Sequence, residues 1–477
     1  MQTTTSWWGT KAEPTNLRLF FNIFPATFAS QLVYMSVVII NTLMAAHVST
    51  TAMAAIGLVG SILWTFNSLG LGLLSVILSR MGYAYGKKDY TQVGDIHRQT
   101  YYLIGIISIF IMLIDLIFLL NLGFLNLSQE MLTICRPYFI ILIFNVPLNL
   151  YVFHLRNINS CVAFTLPTLL ISIPGLLLVA PLNLIFMYGD LPFLGKNPGY
   201  SAFTITVINL IYIVGLTAFI KFRKSTYAKL NLFQPIFQKP DSVFIKDILK
   251  NGSPIAMQYW LENSFYSLVA VLVTPLGTSV LAAHEAAISC YGIVYSIAIA
   301  GSATLTSITA RRLGENRRDL AQQIFRNISY FLIAVYVLIG IVTILHRDIV
   351  ADIFIKDDRT AHDIAQNLII FLGASNFFDG LYAALLGYII PYRDSRYAFL
   401  TMLIVAWGLG MPLANTLAFT SWLSPAPMGI YGFWTTFVIV AFIICMSFLY
   451  RIIFKWHRIS DEELKIHLNK GAVANDH

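Results

Sequence analysis

Four carboxylates stand inside otherwise apolar runs of this chain: Asp115, Glu262, Glu285 and Asp379. A charge in hydrocarbon is costly unless it is neutralised, paired or turned toward water, so each of them asks for a reason. Burial favours the neutral form of an acid, and a bound cation favours its anion. A buried carboxyl can therefore alternate between protonated, Na⁺-bound and organic-cation-paired states, which is a physical basis for exchanging one cation against another. Glu262 lies midway along MQYWLENSFYSL and Asp379 midway along GASNFFDGLYAALLG, and both sit in the second half of the chain. These two read as one functional pair. Glu285, in LAAHEAAI, lies nearer the end of its run and could instead reach the outer interface. Asp115 is flanked by Ile and Leu, which points to a structural or interfacial role.

Aromatic residues flank the pair: Tyr259, Trp260, Phe265 and Tyr266 near Glu262, and Phe377, Phe378 and Tyr382 near Asp379, with Tyr295 further along the run that holds Glu285. Aromatic faces attract organic cations, although they are also ordinary membrane packing. Other chemistries find little support. His47, His97, His154, His284 and His457 form no metal-ligand spacing with one another or with cysteine. P-loop, GxSxG and HExxH strings do not occur, which argues against ATP-driven work and hydrolysis. Cys135, Cys161, Cys290 and Cys445 are far apart and mostly in apolar runs, and read as small buried hydrophobes. No cofactor is expected beyond a coupling ion.

Helices must position these groups. Hydrophobic residues make up 57% of the 477 positions and charged residues 11%, against about 25% charged in soluble domains. Such a surface belongs in lipid, and soluble enzymes, disordered chains and disulfide scaffolds are excluded. Twelve apolar runs are long enough to cross a bilayer, near 19–43, 52–78, 100–122, 137–155, 160–187, 201–220, 253–275, 280–309, 328–345, 364–390, 397–420 and 429–450. They are too long and too uniformly apolar for barrel strands, so an all-α polytopic protein is expected.

A net charge of +8 is compatible with nucleic-acid binding, but its distribution points to lipid headgroups and topology. Alternate exposed segments, counted from the N-terminus, hold 26 of the 31 Lys and Arg residues, with Arg156 assigned to one of them. That asymmetry places both termini and the middle loop in the cytoplasm and requires an even number of spans.

The chain also repeats itself. Ala54, Gly86, Arg98 and Tyr102 match Ala282, Gly314, Arg326 and Tyr330 at an offset of 228, and Pro25 matches Pro254 at 229. Asn145, Leu150, Tyr151, Pro181 and Leu182 match Asn376, Leu381, Tyr382, Pro412 and Leu413 at 231. Two six-helix bundles follow, residues 17–222 and 251–454, joined by a basic linker at 223–250. An even helix count gives parallel repeats, and a binding site is expected between them.

At this point the strings NTLMAAHVSTTAMAA, PLGTSVLAAHEAA, GYIIPYRDSRYAFLT and WGLGMPLANTLAF resemble signatures of the multidrug and toxic compound extrusion (MATE) family, over essentially the whole chain. The similarity is greatest to the bacterial NorM-like branch, which carries an acidic pair on the seventh and tenth helices, where Glu262 and Asp379 stand. The resemblance implies a V-shaped cleft between the lobes and efflux of amphipathic, often cationic compounds driven by Na⁺ or H⁺. It implies that Tyr295 contacts the coupling cation, which Glu262 and Asp379 would hold, with Phe265 beside it. Ser61, Glu285, Asp357 and Asp358 would contact cationic drugs near the outer opening. A bacterial inner membrane and a monomer are further expectations. Two positions depart from the pattern. Asn41 stands where the family usually has a first-helix aspartate, so proton exchange in the first half is not expected there. Glu285 stands where glutamine is commoner, and its charge would draw cationic substrates to the cleft. The alternative reading is a lipid-linked precursor flippase, which would line its cavity with Arg and Lys.

Overall fold

The computed structural model describes residues 14–125, 127–192, 195–233, 239–355 and 358–469. Among them, twelve long helices run back and forth. They are α1 (Pro14–Val48), α2 (Thr50–Gly86), α3 (Tyr90–Leu120), α4 (Gln129–Cys161), α5 (Leu166–Phe186) and α6 (Ala202–Phe222), followed by α7 (Ser242–Val273), α8 (Thr278–Gly314), α9 (Arg318–Leu345), α10 (Arg359–Ile389), α11 (Ser395–Phe419) and α12 (Ile430–Arg451). Inside lipid, only a helix satisfies its own backbone groups over such lengths. Several helices outrun their apolar windows, because polar residues continue and then cap them. The side chains of Ser49, Asp89 and Ser128 accept hydrogen bonds from Ala52, Gln92 and Met131, closing the first turns of α2, α3 and α4.

Eleven of the twelve are long and apolar enough to cross a membrane by length and composition. The exception is α7, whose middle carries Gln258, Glu262, Asn263 and Ser264 in succession with Tyr259 and Trp260. A span that sacrifices hydropathy at its centre is where function is to be sought.

Helices α1–α6 and α7–α12 form two bundles. In the first, α2 lies on α3 and α4 while α5 lies on α1 and α6; in the second, α10 lies on α8, α9 and α12. They meet along a seam where α2 packs against α7 and α8. The approach there is backbone to backbone. A Cβ on Gly72 would fall 2.7 Å from the Ala256 Cα, and one on Gly86 would fall 2.0 Å from the Arg311 carbonyl oxygen. Polar ties add to it: Arg80 pairs with Asp247 at 2.5 Å, Ser307 Oγ donates to the Ser160 carbonyl at 2.8 Å, and Arg312 Nε donates to Asn16 Oδ1 at 2.8 Å. These contacts lie toward the face that carries the chain ends. Toward the opposite face, Gly57 and Gly60 on α2 and Gly292 on α8 meet nothing within 4 Å. The bundles therefore join at one face and part toward the other, giving the V that the family resemblance implies.

Charge assignments are corrected: Arg80, Arg98, Arg312 and Arg326, counted in exposed segments, lie within helices. Arg156, placed by sequence in an exposed loop, lies within α4 and is half-buried. Charge counting assumes that helices end where hydropathy does, whereas α4 continues to Cys161.

Candidate functional site

Spacing on α7 builds the first part of the site. Gln258 and Glu262 are one turn apart and share a face, so the Gln258 amide donates to Glu262 Oε2 at 2.8 Å. On α8, Tyr291 and Tyr295 are likewise one turn apart, and the Tyr295 hydroxyl donates to Glu262 Oε1 at 3.1 Å. From α10, the Tyr382 hydroxyl donates to Glu262 Oε2 at 2.8 Å. Glu262 is 7% exposed and held by three neutral donors from three helices. Such a set orients a carboxylate without cancelling its charge.

Asp379 of α10 is 8% exposed and faces the same space, and its Oδ2 has no hydrogen-bond partner among the described residues. Both acids line one chamber of about 450 Å³, walled by Phe265, Tyr266, Tyr291 and Phe437. Its far wall comes from α11, where Met402–Gly410 is π-helical. Pro412 follows, and a residue with no N–H loosens the turn that would have received it. Trp407, within that stretch, donates from Nε1 to the Leu261 carbonyl at 3.0 Å, tying the widened turn to α7 beside Glu262.

A second cavity, of about 680 Å³, lies between the bundles. Trp64, Phe153 and Asn157 line it from the first bundle, and Tyr259, Asn263 and Tyr295 from the second. Its lining carries no charged side chain. Trp64 Nε1 donates to Asn263 Oδ1 at 3.0 Å across it.

The residues named from sequence divide accordingly. Glu262, Asp379 and Phe265 share the chamber, and Tyr295 reaches it by its hydrogen bond. Asn41 is elsewhere, inside the first bundle, where its amide donates to the Tyr138 hydroxyl at 3.4 Å. Ser61 is exposed on α2 and donates back to the Gly57 carbonyl; Glu285 is exposed on α8. Asp358 caps α10, accepting from the Ser279 hydroxyl and the Ala361 N–H, which hold its carboxyl below the usual range. Asp357 lies outside the described residues. Asn41, Ser61, Glu285 and Asp358 stand apart from both cavities. Asp115 is fully buried, and neither of its carboxylate oxygens has a partner among the described residues.

Sequence reasoning missed Gln258, Tyr291 and Phe437. The first two were legible, since each stands one helical turn from a residue already singled out. Phe437 carries no local signal; only the docking of α12 brings it to the chamber.

The family model described as MatE matches residues 25–185 and 254–416, one segment in each bundle. A probable multidrug resistance protein NorM of Pasteurella multocida is 29% identical over 86% of this chain and 88% of its own. The multidrug resistance protein NorM of Vibrio vulnificus strain CMCP6 is 30% identical over 84% and 87%. Among solved structures, a eukaryotic MATE transporter superposes with a TM-score of 0.84 at 17% identity, covering 96% of this chain and 99% of that one. An outward-facing multidrug resistance MATE family transporter superposes at 0.77 and 15% identity, covering 96% and 100%. This chain belongs to the MatE family.

Proposed function

We propose that this MatE-family chain is a multidrug efflux antiporter that exports amphipathic, often cationic organic compounds in exchange for Na⁺ or H⁺. The observation that carries the reading is that two carboxylates from different helices, each less than a tenth exposed, share one aromatic-walled chamber. A cation entering that chamber meets the unpartnered Oδ2 of Asp379 and a Glu262 carboxylate already aimed by three donors. Oxygen ligands of this kind suit Na⁺, and the same oxygens accept a proton. The relatives named multidrug resistance protein support drugs as the passengers.

The working cycle is alternating access. With the seam closed at the face carrying the termini, the bundles open outward, in keeping with a cytoplasmic location for that face and a bacterial inner membrane for the whole. Occupation of Glu262 and Asp379 by the ion alters the hydrogen bond to Tyr295, whose ring also lines the inter-bundle cavity. The passenger leaves, and the bundles rock to the inward-facing state. The ion can shift that equilibrium only by binding one state better than the other.

The test is dye efflux from vesicles reconstituted with the full chain, driven by a Na⁺ gradient or a proton gradient alone. One gradient should suffice for wild type, and Glu262→Gln or Asp379→Asn should abolish coupled efflux at normal membrane abundance. Undiminished transport by either variant rejects the assignment.

A further inference from the structure

Arg156 is a cation inside the first bundle with no carboxylate within ion-pair distance among the described residues. From α4 its Nη2 reaches across to α1, donating to Gln31 Oε1 at 2.9 Å and Ser30 Oγ at 3.3 Å. A guanidinium only donates, so it fixes the sense of the Gln31 amide. That leaves Gln31 Nε2, in a side chain 1% exposed, with no hydrogen-bond partner. The arginine itself is half-buried, and its Nε and Nη1 engage no protein acceptor among the described residues. A charged fork with donors to spare and, hydrogen-bonded to it, a buried amide whose N–H has no partner stand side by side.

The place adjoins the passenger's route. The Arg156 guanidinium lies 5.2 Å from the centre of the Phe153 ring, and Phe153 and Asn157 line the inter-bundle cavity. Across that cavity stands Tyr295, with Glu262 behind it. The uncharged cavity thus sits between a cationic end in the first bundle and an anionic end in the second.

We propose that Arg156 and Gln31 form an anion subsite that takes the carboxylate of a zwitterionic amphipathic passenger, while its ammonium end faces Glu262 and Asp379. Arginine suits the role because its planar fork matches a carboxylate in bidentate fashion. The inference rests on the efflux reading and deepens it by naming the class of passenger. A phosphate on a lipid headgroup offers similar oxygens, so the test separates the two sources.

The full chain is reconstituted and presented with two dyes, a rhodamine with a free benzoate and its methyl ester. They differ by one carboxylate. Arg156→Gln should lower transport of the free acid by about tenfold or more, the scale of one lost charge-assisted pair, while sparing the ester. Arg156→Lys should recover part of the loss, since it restores the charge without the fork. Ester transport in the same preparation shows that the variant is folded. Equal loss of both dyes assigns Arg156 to packing and overturns the proposal, as does no change in either. A defect seen only with anionic phospholipid present, and absent in pure phosphatidylcholine, gives the guanidinium to a headgroup and likewise overturns it. Should wild type move neither dye, the efflux reading fails. Equilibrium binding of both dyes to the purified protein then decides the anion subsite by the same difference.

Discussion

Tyr295 donates its hydroxyl to Glu262 Oε1 across 3.1 Å, and its ring forms part of the wall of the cavity between the bundles. One side chain thus bonds to the acid chamber through its oxygen and also lines the cavity between the bundles. Glu262 cannot change its charge or its partners without changing what Tyr295 bonds to.

Tyr295→Phe keeps the ring and deletes the donor. A hydrogen bond to a charged group contributes about 1.5–3 kcal/mol, so ion-driven efflux should fall by roughly ten- to a hundredfold. Dye binding without a gradient should change little, because the aromatic wall remains. Parallel loss of binding and efflux would place Tyr295 in passenger recognition alone.

The seam is the hinge surface of the proposed cycle, and Gly86 is its tightest glycine. Gly86→Val sets a branched side chain against the Arg311 carbonyl and should hold the seam apart. Cys161, 1% exposed and adjacent to Ser160 at the seam, then becomes a reporter. With the other three cysteines replaced, its alkylation from the face carrying the termini should accelerate several-fold. An unaltered rate would mean that the seam absorbs the extra carbons without opening.

Asp394, at the start of α11, ties that helix to the end of α12 and its continuation at that same face. It accepts from Arg451 Nε at 2.7 Å and Trp456 Nε1 at 2.9 Å, with Lys455 Nζ at 3.5 Å. Asp394→Asn should cost about 2 kcal/mol, toward the low end for hydrogen bonds to a charged group, because Arg451 and Lys455 are partly exposed and can rehydrate. Thermal unfolding in detergent should shift downward by several degrees. No shift would show that Trp456 and Arg451 find equivalent partners without the carboxylate.

His457 lies just beyond α12, where burial and then the nearby Arg318 charge lower it from 6.5 to about 4. It is neutral when folded, while an unfolded chain protonates it below about pH 6.5. Between those values the unfolded state binds more protons, so stability falls as pH falls from about 6.5 toward 4. His467, lowered chiefly by burial, adds in the same direction. Melting temperature should therefore drop on acidification from pH 7 to pH 5, and His457→Gln should flatten the slope. Identical slopes in both proteins would exclude His457 as the titrating group.

Much of this protein was decided by composition and local order along the chain. Long apolar runs need helices in lipid, so their number and alternation were readable, and the offset matches disclosed the two bundles. Glu262 and Asp379 stood out because a carboxylate at mid-depth is costly and must be neutralised, paired or turned toward water. Gln258 and Tyr291 could have been added by counting one helical turn. What the chain order could not decide is the rotation of each helix about its axis and the choice of its neighbours. Hydropathy is blind to azimuth, since an apolar helix in lipid has no solvent face to set one. For that reason only the tertiary structure brought Phe437 to the chamber, made Tyr295 common to two cavities, separated Asn41 from the acids, and turned Arg156 from a presumed loop into the interior of the first bundle.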